Sequence, residues 1–235
     1  MPAASIRARV RAEIIDEIKA VARRHLATDG ANLSLRAVAR DMGMVSSAVY
    51  RYFPSRDDLL TALIIDAYNS LGEAVERADA AVADRSDLGA RWLASGRAVR
   101  AWALATPAEY ALIYGSPVPG YAAPQDTVGP ATRTAMVLVR ILADGVASGA
   151  LPSGDPGDLP AGVHTDLARL REATLSEVPE PLLARGTIAW IHLFGAVSFE
   201  LFGQLNNVID ARAEYFDHQL RLMAGLIGLP AAAVS

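Results

Sequence analysis

The chain has 235 residues, 52% hydrophobic and 20% charged, and no cysteine. That excludes collagen-like and disordered classes, disulfides and thiolate metal sites, and allows one large domain or two small ones. The net charge of -4 hides a segregation: residues 1–56 hold ten basic side chains against five acidic, or +5, and the remainder holds 12 against 21, or -9. A basic first quarter reads either as an anion-binding module on an acidic body or as a solvated arginine-rich helix face. The longest nearly uninterrupted apolar run, Ala189 to Phe199, is eleven residues and includes His192, where a membrane span needs about 18. The first residues show no basic segment leading into an apolar core. The expectation is a soluble, cytoplasmic protein with no membrane partner.

Helical spacing runs through almost the whole chain. Ile6, Val10, Ile14, Ile18, Val21 and His25 step by three or four and predict a first helix ending near Asp29-Gly30. Ser34 can cap a short second helix through Met42, stopped by Gly43 in left-handed geometry. A third short helix is expected over about Ser46–Tyr52, ended by Pro54. Ser55-Arg-Asp-Asp58 matches a capping box and opens a long helix to about Ala83, a rod of roughly 40 Å able to join two modules. Further helices are expected at about Ser86–Thr106, Pro107–Tyr114, Pro130–Gly149, Val163–Leu175, Pro181–Asn206 and Asp210–Gly228. Pro/Gly-rich stretches at Gly115–Gly129 and Leu151–Gly162 interrupt them. No alternating run asks to be a strand, so the fold class is all-α, with a helix-turn-helix domain over residues 1–54 and a helical ligand-binding and dimerisation domain over residues 55–235.

A long helix followed by two short ones around a Gly43 turn has the lengths of a helix-turn-helix, whose second short helix enters the major groove. Ser46, Ser47, Tyr50 and Arg51 are its expected exposed residues. Arg56 stands in the first turn of the next helix, where a cation opposes the macrodipole. A phosphate at that helix end would turn the penalty into a grip; an ordinary exposed arginine is the plain alternative.

The stretch Leu33 to Leu60, LSLRAVARDMGMVSSAVYRYFPSRDDLL, resembles the DNA-binding domain of the TetR/AcrR family of bacterial transcriptional regulators. The resemblance implies a three-helix head, a larger helical body that binds a small lipophilic effector, and a homodimer on a palindromic double-stranded DNA operator. Carried across, Ser34, Arg36, Ser46, Ser47, Tyr50, Tyr52 and Arg56 are the implied DNA contacts, with Tyr50 and Arg56 chiefly on phosphate. The chain departs from the family pattern at Val45, where a serine is common, so that Ser46 would cap the third helix one residue late. It departs again at Tyr52, often histidine, and Arg56, often lysine; both keep a phosphate donor.

In the second half, Ala189-Trp-Ile-His-Leu-Phe-Gly195 followed by Glu200-Leu-Phe-Gly203 is similar to the Trp-x-His-x-x-Gly signature of one branch of that family. His192 reads as a satisfied core or interface residue rather than a metal ligand, because no second ligand lies at helical spacing. Ile188, Ile191, Gly195, Phe199 and Phe202 recur along one helix and Leu220, Met223 and Ile227 along the next. They form either a four-helix dimer interface or the core of the body. Trp92, Trp102, Tyr110, Tyr114 and Tyr121 concentrate around the first Pro/Gly-rich stretch and are the candidate ligand pocket, with core packing as the alternative.

Catalysis is disfavoured: no nucleophile elbow, zinc-protease, dinucleotide or phosphate-loop motif occurs, and the four histidines lie in separate segments. Neither cofactor nor metal is expected. A ligand-responsive repressor fits best, with an activator of the same family, a protein-binding helical scaffold and a helical enzyme as alternatives.

Overall fold

The computed structural model describes residues 2–29, 33–151, 159–174 and 177–229. Among them lie ten α-helices and no strand: α1 (Pro2–Asp29), α2 (Leu35–Asp41), α3 (Ser46–Tyr50), α4 (Arg56–Ala80), α5 (Leu88–Ala105), α6 (Pro107–Tyr114), α7 (Val128–Ala147), α8 (Ala161–Thr174), α9 (Glu180–Leu201) and α10 (Arg212–Ile227). Gly30, expected just past the first helix, and residues 152–158 of the second Pro/Gly-rich stretch lie outside the described residues.

Local chemistry sets the boundaries. The Ser34 hydroxyl accepts from the Ala37 N–H at 3.4 Å and caps α2. At the other end, Gly43 stands at φ +66°. Its N–H donates to the Arg40 carbonyl and the Met44 N–H to the Ala39 carbonyl, the paired bonds of a Schellman stop. A Cβ on Gly43 would meet nothing within 4 Å, so glycine is needed there for its backbone angle, not for space. The third helix corrects the sequence reading: Val45 occupies the cap position without a side-chain bond, and Ser46 is already helical. The capping box at α4 forms, with Asp58 N–H donating to Ser55 Oγ at 3.1 Å and Ser55 N–H donating to Asp58 Oδ2 at 2.9 Å. α9 ends at Leu201 and not near Asn206, because Gly203 and Asn207 take left-handed angles of +83° and +62°.

Packing divides the chain into two compact groups, Met1–Asn69 with Thr106–Ala131, and Ser70–Ala105 with Thr132–Ser235. The groups do not follow the expected division after residue 54. The first takes in part of α4, all of α6 and the first Pro/Gly-rich stretch. Its core gathers Ile18, Val21, Ala22 and Leu26 of α1 with Leu35, Val38, Val49, Phe53, Leu59, Leu60 and Leu63, and Ala108, Leu112, Val118 and Tyr121 pack against it. Arg23 of α1 ties this group together, reaching Asp66 of α4 at 2.6 Å and Glu109 of α6 at 2.9 Å.

In the second group α5, α9 and α10 pack on one another and α8 packs on α9. Gly96 brings α5 close to α10: a Cβ there would lie 2.5 Å from a Leu220 methyl. Arg91, 1% exposed, is the most buried charge among the described residues. It donates to Asp79 at 2.7 Å and Asp144 at 2.6 Å. α9 is long and apolar enough to cross a membrane by length and composition, with a mean hydropathy of 1.4 over its most apolar window. One of its faces, including Leu182, Leu193, Phe194 and Val197, is buried in the group, while Ile188, Ile191 and Phe199 are exposed.

Candidate functional site

α2 packs against α3 over the apolar core of the first group, which leaves their polar side chains facing water. Ser34, Arg36, Ser47 and Tyr50 are exposed; Ser46, Tyr52 and Arg56 are half-buried. Tyr52 has a second partner, the guanidinium of Arg11, whose Cζ sits 5.1 Å from the ring centroid, a cation–π contact that ties the exposed part of α1 to the end of α3. Val45, 71% exposed at the head of α3, and Arg51, exposed at its end, belong to the same surface. The family pattern that supplied the expected contacts contains neither. Exposure of an isoleucine- or valine-sized group at a helix start is the signal that identifies Val45.

The basic surplus of the head splits by role. Lys19 and Arg23 are bound internally to Asp66 at 2.9 and 2.6 Å, whereas Arg36 and Arg51 are exposed and make no ion pair among the described residues. At the start of α4 the lone-cation reading of Arg56 needs amendment. Asp57 and Asp58 share its first turn and suit the macrodipole, and Arg56 Nη1 lies 3.4 Å from Asp57 Oδ1. Asp58 is engaged in the capping box, so the end presents a guanidinium beside one exposed carboxylate. On the far side of α2, the His25 hydrogen bond at 2.7 Å holds the Asp41 carboxyl below its ordinary range.

The five aromatic residues expected to line a pocket divide between the two groups. Tyr110 and Tyr114 belong to the first group, where they stack with centroids 5.1 Å apart and Tyr114 meets Tyr68 edge-on at 6.1 Å. Burial, then proximity of Tyr68 and Tyr110, pushes the Tyr114 phenol far above its ordinary range and keeps it neutral. Tyr121 shares a 2.9 Å hydrogen bond with Thr61. The physical reason is that α6 packs on α1, which draws the tyrosines into the head's own packing. Trp102 belongs to the second group and donates to Ser70 Oγ at 3.0 Å.

Only Trp92 of these lines the cavity inside the second group, together with Val75, Ser95, Val99, Thr134, Val137, Leu138, Ile141, Trp190 and Leu193. The cavity measures about 20 Å³, room for roughly one water. Sequence reasoning missed it because four helices contribute and no helix carries a motif. Trp190 was visible only as part of a signature. In that signature His192 accepts or donates a 3.0 Å hydrogen bond with Gln219 of α10, a satisfied inter-helix partner. The expected interface residues also separate. Ile188, Ile191, Gly195, Phe199 and Phe202 form an exposed stripe on α9, Phe199 at 57% exposure. Leu220 and Ile227, at 2% and 0%, are taken by the core of the second group, and Met223 is half-buried. The exposed apolar stripe of α10 is instead Tyr215, Leu222 and Leu226, one helical face away.

Two family models match. Residues 18–63 match the bacterial regulatory proteins of the tetR family, and residues 92–223 match the tetracyclin repressor-like C-terminal domain. The HTH-type transcriptional regulator Rv1816 of Mycobacterium tuberculosis is 41% identical over 223 residues, covering 92% of this chain and 93% of that protein. The solved structure of the regulatory protein SCO4313 superposes with a TM-score of 0.77 at 36% identity, covering 92% of this chain and 98% of that one. A protein of unknown function from Rhodococcus sp. RHA1, at 23% identity and a TM-score of 0.66 over 93% of this chain and 95% of that one, shares the fold.

Proposed function

The chain belongs to the TetR family of transcriptional regulators, and from that premise we propose that it is a cytoplasmic repressor which binds a palindromic operator as a homodimer and is released by a small lipophilic effector. The observation that carries the DNA reading is the polar surface of α2, α3 and the start of α4, where Arg36, Ser47, Tyr50 and Arg51 are exposed over a closed apolar core. Guanidinium, phenol and hydroxyl groups on a short helix pair are the donors that phosphate and base edges require. Tyr50 and Arg56 act on phosphate, and Ser46, Ser47 and Arg36 act near base edges.

The dimer reading draws on the exposed stripes of α9 and α10. Ile188, Ile191, Phe199 and Phe202 beside Tyr215, Leu222 and Leu226 make a two-helix apolar face, and its two-fold mate completes a four-helix bundle. The Trp190, His192 and Gly195 spacing supports placing the body in the Trp-x-His-x-x-Gly branch. The effector site is the cavity between α4, α5, α7 and α9, which widens as the ligand enters. α4 carries both Arg56 and the cavity-lining Val75, so it is the element that couples effector to operator.

The test begins by selecting operator from random duplex DNA with the full-length protein, then titrating binding against salt. Arg56→Ala weakens all sequences alike and lowers the salt slope by about one unit, since each phosphate contact releases roughly one counterion. Ser47→Ala changes which sequences are preferred. A slope unchanged by Arg56→Ala, with altered sequence preference, would falsify the division of roles.

A further inference from the structure

Two residues of the cavity wall bury a polar atom that has no hydrogen-bond partner among the described residues: the Ser95 hydroxyl oxygen on α5 and the indole Nε1 of Trp190 on α9. Ser95 is 6% exposed. The chain's three tryptophans differ in this respect, since Trp92 donates to the Leu220 carbonyl at 2.8 Å and Trp102 to Ser70 Oγ at 3.0 Å. A buried donor left without an acceptor is a cost that natural interiors avoid. Two of them on one cavity, where the only other such buried atom among the described residues is Arg185 Nε, mark a place kept for an acceptor that arrives from outside.

The wall limits what that acceptor belongs to. Val75, Val99, Val137, Leu138, Ile141 and Leu193 are aliphatic, and no lining residue is ionisable. A carboxylate or ammonium would enter without a countercharge and bear its full desolvation cost. The indole N–H donates only, and the serine hydroxyl can donate beside it, so both can meet one oxygen with two lone pairs.

Resting on the effector-cavity reading above, we infer that the effector is a neutral, mainly hydrocarbon molecule bearing one acceptor oxygen of the ketone, ester or ether type, held by Trp190 Nε1–H and the Ser95 hydroxyl. The competing occupant is a single permanent water bridging the two groups, for which a space of about 20 Å³ is enough.

The experiment uses the full-length protein, with cyclohexanone and methylcyclohexane as matched probes, and follows the three indole N–H resonances by NMR. Cyclohexanone moves the Trp190 resonance downfield to a hydrogen-bonded position while those of Trp92 and Trp102 hold, and methylcyclohexane does not move it. In Trp190→Phe the affinity for cyclohexanone falls about tenfold while that for methylcyclohexane changes less than about twofold, the loss of one buried hydrogen bond; Ser95→Ala acts in the same direction. The wild-type titration stands even if a variant fails to fold. A Trp190 resonance that already sits at the bonded position, contacts a long-lived water and ignores cyclohexanone overturns the inference. So do equal losses for both probes in Trp190→Phe. If methylcyclohexane binds, releases operator and is matched by cyclohexanone without any Trp190 response, the acceptor inference falls and the cavity reading stands. If neither probe binds while other compounds release operator from another site, both fall.

Discussion

The two packed groups treat polar side chains in opposite ways. In the head, Met1–Asn69 with Thr106–Ala131, the core is apolar and the distinctive polar groups, Arg36, Ser47, Tyr50 and Arg51, lie outside it. In the body, Ser70–Ala105 with Thr132–Ser235, the interior itself is polar in places. Arg91 and Glu200 are buried as ion pairs, and the buried side-chain atoms without partners among the described residues, on Ser95, Arg185 and Trp190, all belong to it. The head is arranged to present groups to something it cannot enclose. The body encloses chemistry, and it exposes apolar side chains along α9 and α10.

The strongest way to break that contrast is at Arg91. It joins Asp79 of α4 and Asp144 of α7 at 2.7 and 2.6 Å, and removing it empties a 1% exposed site and leaves Asp79, 14% exposed, with only the half-exposed Arg85. Arg91→Ala is expected to cost about 3–5 kcal/mol of stability in urea unfolding. A loss below about 1 kcal/mol would mean that the body's buried charges carry no more weight than surface ones. Next comes the exposed apolar face. Phe199→Glu places a charge into the proposed dimer contact and raises its Kd by about a hundredfold or more, read by sedimentation, while protomer stability stays nearly unchanged because Phe199 is 57% exposed. Leu220→Glu, at a 2% exposed position, should instead unfold the protomer. If Phe199→Glu leaves a dimer intact, the interface lies elsewhere.

A smaller effect sharpens the head. Gly43→Ala adds a methyl that meets nothing within 4 Å, yet the backbone sits at φ +66°, so the cost is conformational alone, about 1–2 kcal/mol. Gly43→Asn should cost less, since asparagine tolerates that region. Thermal unfolding that shows no penalty for alanine would show that the α2–α3 turn relaxes, and the recognition surface with it.

Much of the head was legible because its signals are local. Ser34, Gly43, Pro54 and the Ser55–Asp58 pair act within a few residues of one another, and each sits at or beside the boundary it predicts. One miss there, Ser46 as a cap, came from expecting a hydroxyl where Val45 closes the turn without one. The body's helices were also readable from period. Which face of each helix turned inward was not: Leu220 and Tyr215 both continue apolar stripes on α10, and only packing against Gly96 selects Leu220 for the core. The surroundings of the tyrosines were hidden for the same kind of reason. α6 packs on α1, and a contact between segments as distant in sequence as Arg23 and Glu109 leaves no periodic trace. The cavity is the extreme case, since its polar atoms matter for what they lack.

The smallest expected effect concerns the partly exposed pairs of the body, which should behave unlike Arg91. Arg97 of α5 grips Asp217 of α10 through two hydrogen bonds of 2.8 and 2.6 Å, and that bonding holds the Asp217 carboxyl below its ordinary value of 3.8. A carboxyl whose folded pKa is depressed contributes stability fully above its unfolded pKa and loses it as pH falls through the folded value. Side chains 50% and 27% exposed are screened by water, so Asp217→Asn should cost no more than about 1 kcal/mol at neutral pH. The difference between wild type and variant should hold steady from pH 7 down to about 4 and shrink below it, as the wild-type carboxyl takes up its proton. Urea midpoints at pH 7, 5, 4 and 3 measure this directly. A difference that stays constant to pH 3 would show that the substitution acts through packing against α5 and not through charge. A loss at pH 7 as large as that of Arg91→Ala would erase the distinction between the body's buried ion pairs and its exposed ones.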